Sequence, residues 1–112
     1  MEFIEVLDVS QLPENQMVKV SVEGKEVLIT KLGGAYYAIA NKCTHLGGSL
    51  AKGELDGSVV TCPRHGARFD VKTGESVREA KIAIVKMQVK DVESFPVKVE
   101  GTKIMVGMPA TQ

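Results

Sequence analysis

The chain has 112 residues, 44% of them hydrophobic and 25% charged, which is enough apolar matter for one packed domain and too little length for two. Its 14 Lys and Arg balance its 14 Asp and Glu, so the basic excess that accompanies nucleic-acid or anionic-membrane binding is missing. No apolar run reaches the roughly 18 residues of a membrane helix, and the acidic start Met1-Glu2-Phe3-Ile4-Glu5 lacks the cationic and apolar regions of a secretory signal.

These features predict a cytoplasmic, soluble, monomeric domain over residues 1–112. Residues 1–56 carry 5 Lys against 8 acids, net −3, and residues 57–112 carry 9 basic residues against 6 acids, net +3. The resulting dipole is mild but could orient a docking partner.

The texture is β. Val18, Val20 and Val22 alternate with Lys19, Ser21 and Glu23, the period-2 pattern of a half-buried strand. A turn at Gly24-Lys25 and the return Glu26–Thr30, with Val27, Leu28 and Ile29, complete a hairpin. Gly33-Gly34 marks a second turn before a short strand over Ala35–Ala40. Further on, Ser76-Val77-Arg78-Glu79 has capping-box spacing, but the alternation of Val85, Met87 and Val89 with Lys86, Gln88 and Lys90 favours a strand. An irregular connection is expected over residues 75–82. Pro96 stands beside a strand start, as at an edge or bulge. Val97 and Val99 then alternate with Lys98 and Glu100, and Gly101-Thr102 turns the chain into Lys103–Val106. Short strands with glycine turns every ten or so residues predict an all-β, antiparallel sandwich or barrel.

The chain has two cysteines and two histidines, and all four fall between positions 43 and 65. Residues 41–53 read Asn-Lys-Cys-Thr-His-Leu-Gly-Gly-Ser-Leu-Ala-Lys-Gly, and residues 61–70 read Thr-Cys-Pro-Arg-His-Gly-Ala-Arg-Phe-Asp. Cys43 and His45 therefore form one pair, and Cys62 and His65 the other. Glycines in such loops permit close approach of backbone N–H groups to an inorganic centre, and Pro63 stiffens the second loop.

Chance clustering of two matched pairs is improbable. A Cys43–Cys62 disulfide suits a reduced compartment badly and leaves both histidines unexplained. A zinc-stabilised β module that serves as an interaction domain has the right ligand types. Zinc knuckles, however, usually pair Cys with Cys and His with His, whereas each knuckle here mixes the two. A [2Fe–2S] centre with two cysteines on one iron and two histidines on the other needs two loops, each giving one thiolate and one imidazole. The spacing offers this arrangement, and it is favoured over zinc. No GxGxxG or GKS/T phosphate loop and no spare nucleophile–base pair is present, so the chain reads as an electron carrier and not an enzyme.

With these loops, with Gly53-Glu54-Leu55-Asp56-Gly57 leading into Val59-Val60-Thr61-Cys62, and with Phe69-Asp70-Val71-Lys72-Thr73-Gly74 after the second loop, the sequence resembles the soluble Rieske-type ferredoxins of bacterial ring-hydroxylating oxygenases. That resemblance implies a β-sandwich with a small cluster-binding subdomain and one [2Fe–2S] cluster per chain. Cys43 and Cys62 would ligate the inner iron, and His45 and His65 the outer one. It further implies a flavin-type reductase and a terminal oxygenase as partners, or, for relatives of the same fold, a place as small subunit of a nitrite-reductase-type complex.

Higher-potential relatives carry a further cysteine in each loop, where this chain has Gly48 and Arg64. They also carry hydroxyl donors near the cluster sulfurs, where it has Ala67 and Phe69. Fewer hydrogen bonds to sulfur lower the potential, so a value near the bottom of the Rieske range, about −150 mV, is expected. Lys42, Lys52, Arg64, Arg68 and Lys72 surround the loops in sequence, and Arg64 is the residue expected to mark a docking face for an acidic partner.

Overall fold

The computed structural model describes residues 2–42, 48–63, 66–77 and 90–109. Strands β1 (Glu2–Asp8), β2 (Met17–Val22), β3 (Lys25–Leu32), β4 (Ala35–Ala40), β5 (Glu54–Asp56), β6 (Val59–Thr61), β7 (Arg68–Asp70), β8 (Ser94–Phe95), β9 (Val97–Glu100) and β10 (Lys103–Met108) form three sheets. Their orders are β1-β10-β9, β2-β3-β4-β8 and β5-β6-β7, and neighbours are antiparallel throughout.

The middle layer is the four-stranded sheet, and the alternation of its side chains explains why. On β3, Val27 and Ile29 face a first core that also holds Leu12, Ala38, Phe95, Ile104, Val106 and Met108. Leu28, one residue out of phase, faces a second core with Ile39, Leu50, Val60, Cys62, Phe69, Val71 and Val92. The register repeats this division, since Leu28 pairs with Ile39 and Ile29 with Ala38. Strand β3 is consequently apolar in a continuous run, as a strand covered on both faces must be. The first core closes the sandwich, and the second fastens the small β5-β6-β7 sheet onto its back.

The tight hairpins follow from residues that tolerate left-handed backbone. Gly33 and Gly34 have φ of 60° and 83° and join Leu32 to Ala35, as a two-residue turn matched to strand twist requires. The β2–β3 turn falls one residue earlier than the sequence suggested. Val22 pairs with Lys25, which leaves Glu23 (φ 50°) and Gly24 (φ 83°) as the turn residues.

Pro96 carries the chain from β8 in one sheet to β9 in the other, and its carbonyl accepts the Gly107 N–H at 2.8 Å. Val97 packs on the first core, but Val99 is 42% exposed because β9 is an edge strand running out into the Gly101 turn. Of the expected irregular stretch, Ser76 forms a bridge with Phe69, and residues 78–82 lie outside the described residues. The strand expected over residues 85–89 lies outside them as well.

Asp8 ties the first strand to the β9–β10 turn. Its carboxylate accepts the Ser10 N–H at 3.0 Å, the Ser10 hydroxyl at 2.9 Å and the Thr102 hydroxyl at 3.0 Å, with Lys103 Nζ at 3.6 Å. The Ser10 N–H above all, then the two hydroxyls and the lysine, hold this carboxyl below the usual carboxylate range against a small opposing cost of desolvation. A carboxyl depressed in the folded state stabilises it above the unfolded pKa and ceases to do so as pH falls through the folded value. Urea midpoints of wild type and Asp8→Asn should therefore differ at about pH 7, and the difference should shrink as pH falls below the ordinary carboxylate value of 3.8. A gap that stays constant with pH would contradict this role.

Candidate metal centre

The first loop leaves β4 through Asn41, whose side chain is fully buried. Its N–H donates to the Glu26 carbonyl at 3.0 Å, and its carbonyl accepts the Leu50 N–H at 2.8 Å. Its side-chain oxygen accepts the Ala51 N–H at 2.8 Å, and Nδ2 donates to Ser49 Oγ at 2.9 Å. A bridge between Lys42 and Ser49 closes the same foot. Cys43 and His45 lie between these anchors in the chain but outside the described residues, as does Gly47.

The second loop is a continuation of the β6–β7 hairpin. Cys62 is 2% exposed; its N–H donates to the Ala67 carbonyl at 2.7 Å, and its carbonyl accepts the Gly66 N–H at 3.1 Å. Gly66, at φ 77°, supplies the left-handed residue that this reversal needs. Arg64 and His65 fall outside the described residues. Cys62 packs with Leu28, Leu50, Val60 and Phe69, so it is shielded from water. Ala67 and Phe69 bring no hydroxyl to this environment, and Phe69 is spent entirely on the core.

The two loops meet at their roots. A β-carbon on Gly53, at the end of the first loop, would lie 1.8 Å from the Thr61 carbonyl oxygen and 3.2 Å from Pro63 Cδ. Only glycine allows the backbone of one loop to rest on the residue before Cys62. From the other side, Gly74 (φ 81°) is pressed so closely on Val92 that a β-carbon would sit 2.1 Å from the Val92 carbonyl oxygen. The Val92 N–H donates to the Gly74 carbonyl at 2.8 Å, and the Ser76 N–H donates to Asp91 Oδ1 at 2.8 Å. The small sheet is thus pinned to the chain returning toward β8.

Among the described residues no three His, Cys, Asp or Glu stand together, since Cys62 alone of the four candidate ligands is described. Two thiols and two imidazoles on two loops with a shared root are chemically suited to a mixed-ligand centre. Of the basic residues grouped by sequence, Lys42 and Lys52 are exposed at the first loop and Arg68 is half-buried beside Thr61. Lys72 does not belong with them. It lies in the turn after β7, at the end of the hairpin away from Cys62, with its ammonium 5.8 Å from the Tyr37 ring centroid.

Neither Asn41 nor Gly53 carries ligand chemistry of its own, and the part each plays arises from contacts between segments. Their only signals were a polar residue directly after an apolar strand and a glycine directly before the next one. Gly53→Ala should cost about 3 kcal/mol, the upper range for forcing an atom into packed structure. Gly57→Ala, where a β-carbon meets nothing within 4 Å and only a φ of 61° is strained, should cost about 1 kcal/mol. Denaturation of both variants checks the order, and equal costs would mean that the two loops do not bear on each other.

Residues 2–96 match the family of Rieske [2Fe–2S] domains. The ferredoxin component of the naphthalene 1,2-dioxygenase/salicylate 5-hydroxylase systems of Ralstonia sp. is 35% identical over 106 residues, 95% of each chain. The fold superposes on the ferredoxin of carbazole 1,9a-dioxygenase from Nocardioides aromaticivorans IC177 with a TM-score of 0.82 at 31% identity, covering 95% of this chain and 97% of that one. A chain in the complex of reduced oxygenase and oxidized ferredoxin of carbazole 1,9a-dioxygenase matches with a TM-score of 0.80 at 28% identity, over 93% of this chain and 91% of that one. The zinc module weighed from the ligand types gives way to these matches. A two-core β-sandwich, a family match over residues 2–96 and similarity along nearly the whole chain together make this chain a member of the Rieske [2Fe–2S] domain family.

Proposed function

We propose that the protein is a soluble one-electron carrier that takes electrons from a flavin-type reductase and delivers them to a terminal oxygenase. Cys43 and Cys62 would hold one iron of its [2Fe–2S] cluster, and His45 and His65 the other. The meeting of the two loop roots at Gly53 and Thr61 supports this function above all, because the stretch that follows Cys43 and His45 in the chain rests on the residue before Cys62. The similarity along nearly the whole chain to ferredoxin components of dioxygenase systems supports the choice of partners.

When bound, the cluster supplies a centre that gains and loses one electron at a time. The chain's own residues set the conditions for it. Both cysteines bind as thiolates and both histidines as neutral imidazoles, and replacing two thiolates by imidazoles removes two negative charges from the ligand set. Reduction is then easier than at a four-cysteine site. Leu28, Leu50, Val60 and Phe69 exclude water from around Cys62. Lys42 and Lys52 stand exposed beside the first loop, and Arg64 lies in the chain between Cys62 and His65. These cations suit an acidic docking face, which would speed encounter more than it tightens the complex.

Two measurements test the reading. Redox titration should give a potential of about −150 mV, since neither Ala67 nor Phe69 offers a hydroxyl to sulfur; a value well above zero would contradict it. Arg64→Glu should slow electron delivery to the oxygenase about tenfold at low ionic strength, and high salt should shrink the difference. Rates equal to wild type in low salt would remove Arg64 from the docking face.

A further inference from the structure

Asn41 and Thr30 are the buried polar residues among those described, each fully inaccessible. A buried amide is tolerated only when its donors and acceptors are matched. The side chain of Asn41 meets that condition by joining three separate segments. Its oxygen accepts the Ala51 N–H at 2.8 Å. Its nitrogen donates to Ser49 Oγ at 2.9 Å and, more loosely, to Glu26 Oε1 at 3.4 Å. The Ala51 N–H fixes which end of the amide is oxygen, since two donors cannot face each other.

These bonds link residues eight and ten positions apart, and they close the part of the chain that carries Cys43 and His45. The segment they hold contains Leu50, buried with Cys62 in the second core, and runs on into Gly53 on the Thr61 carbonyl. The amide is therefore the first link in a rigid path from one cysteine–histidine loop to the root of the other. Thr30 has no such reach. Its hydroxyl donates to the Gln16 carbonyl at 2.7 Å, within the β-sandwich and, among the described residues, with no bond to either loop.

We propose that Asn41 is a positioning residue for the cluster: through Ser49 and Ala51 it sets the spacing of the Cys43/His45 loop against the Cys62/His65 loop. This role rests on the ligand assignment above. The effect of Asn41 on the ligands is read from iron release and g values, separately from any loss of stability of the sheet that its removal causes.

The test compares Asn41→Ala with Thr30→Val in the cluster-loaded protein, at a temperature where circular dichroism shows both folded. Iron release to excess EDTA and the EPR g values of the reduced protein are measured alongside melting temperature. Asn41→Ala should release iron ten- to a hundredfold faster than wild type, the cost usual for an outer residue that orients ligands, and its g values should move. Thr30→Val should melt lower but keep the wild-type release rate and g values. Asn41→Ala that merely melts lower, with release and g values unchanged, overturns the proposal.

If Asn41→Ala does not accumulate, Ser49→Ala serves. It removes the acceptor of the Asn41 Nδ2 and leaves the Ala51 bond in place, so it should release iron faster than wild type; a wild-type rate overturns the proposal. Wild-type protein that holds neither iron nor sulfide would overturn the ligand assignment itself, and the positioning role with it.

Discussion

The burial of the four-stranded sheet on both faces is the constraint from which the rest of the molecule follows. Leu28 and Ile39 point away from the sandwich and would lie in water if nothing covered them. Leu50, Val60, Cys62, Phe69, Val71 and Val92 cover them, and each fully buried aliphatic or aromatic side chain there is worth about 1.5–3 kcal/mol. The small sheet is too short to be stable alone, with strands of three residues. It exists because this face must be covered, and covering it places Cys62 at the base of its loop in a dry setting.

Backbone contacts then convert that packing into a defined separation between the loops. Gly53 on the Thr61 carbonyl and Gly74 on the Val92 carbonyl are approaches that no side chain would permit. Asn41 closes the remaining foot with hydrogen bonds and not with bulk. A donor set spread over two loops binds a metal cluster well only if little rearrangement accompanies binding. The chain meets that need with fixed roots, at Asn41 and Gly53 on one loop and at Cys62 on the other.

Much of this was legible in the amino-acid sequence. The alternation in residues 17–22 and 97–100 and the Gly33-Gly34 turn are local signals, set by side-chain period and φ, and they located β2, β4 and β9 closely. The four ligand candidates were legible because Cys and His are rare here and fell into matched pairs. Less accessible was anything decided by contacts between distant segments. The turn at Glu23-Gly24 depends on which residues pair across β2 and β3, and the exposure of Val99 on the place of β9 at the edge of its sheet. The displacement of Lys72 from the basic group depends on the direction in which β7 leaves the loop. Asn41 looked like one more polar loop residue, since its role appears only when Ser49, Ala51 and Glu26 are brought around it.

A single spectrum bears most directly on the assignment of one thiolate and one imidazole to each loop. The protein is reduced with dithionite and its EPR spectrum recorded, with iron and acid-labile sulfide assayed on the same sample. A rhombic signal with an average g clearly below that of all-cysteine ferredoxins, together with two irons per chain, is the result expected of mixed ligation. An EPR-silent protein, or a signal of the all-cysteine type, would contradict the account.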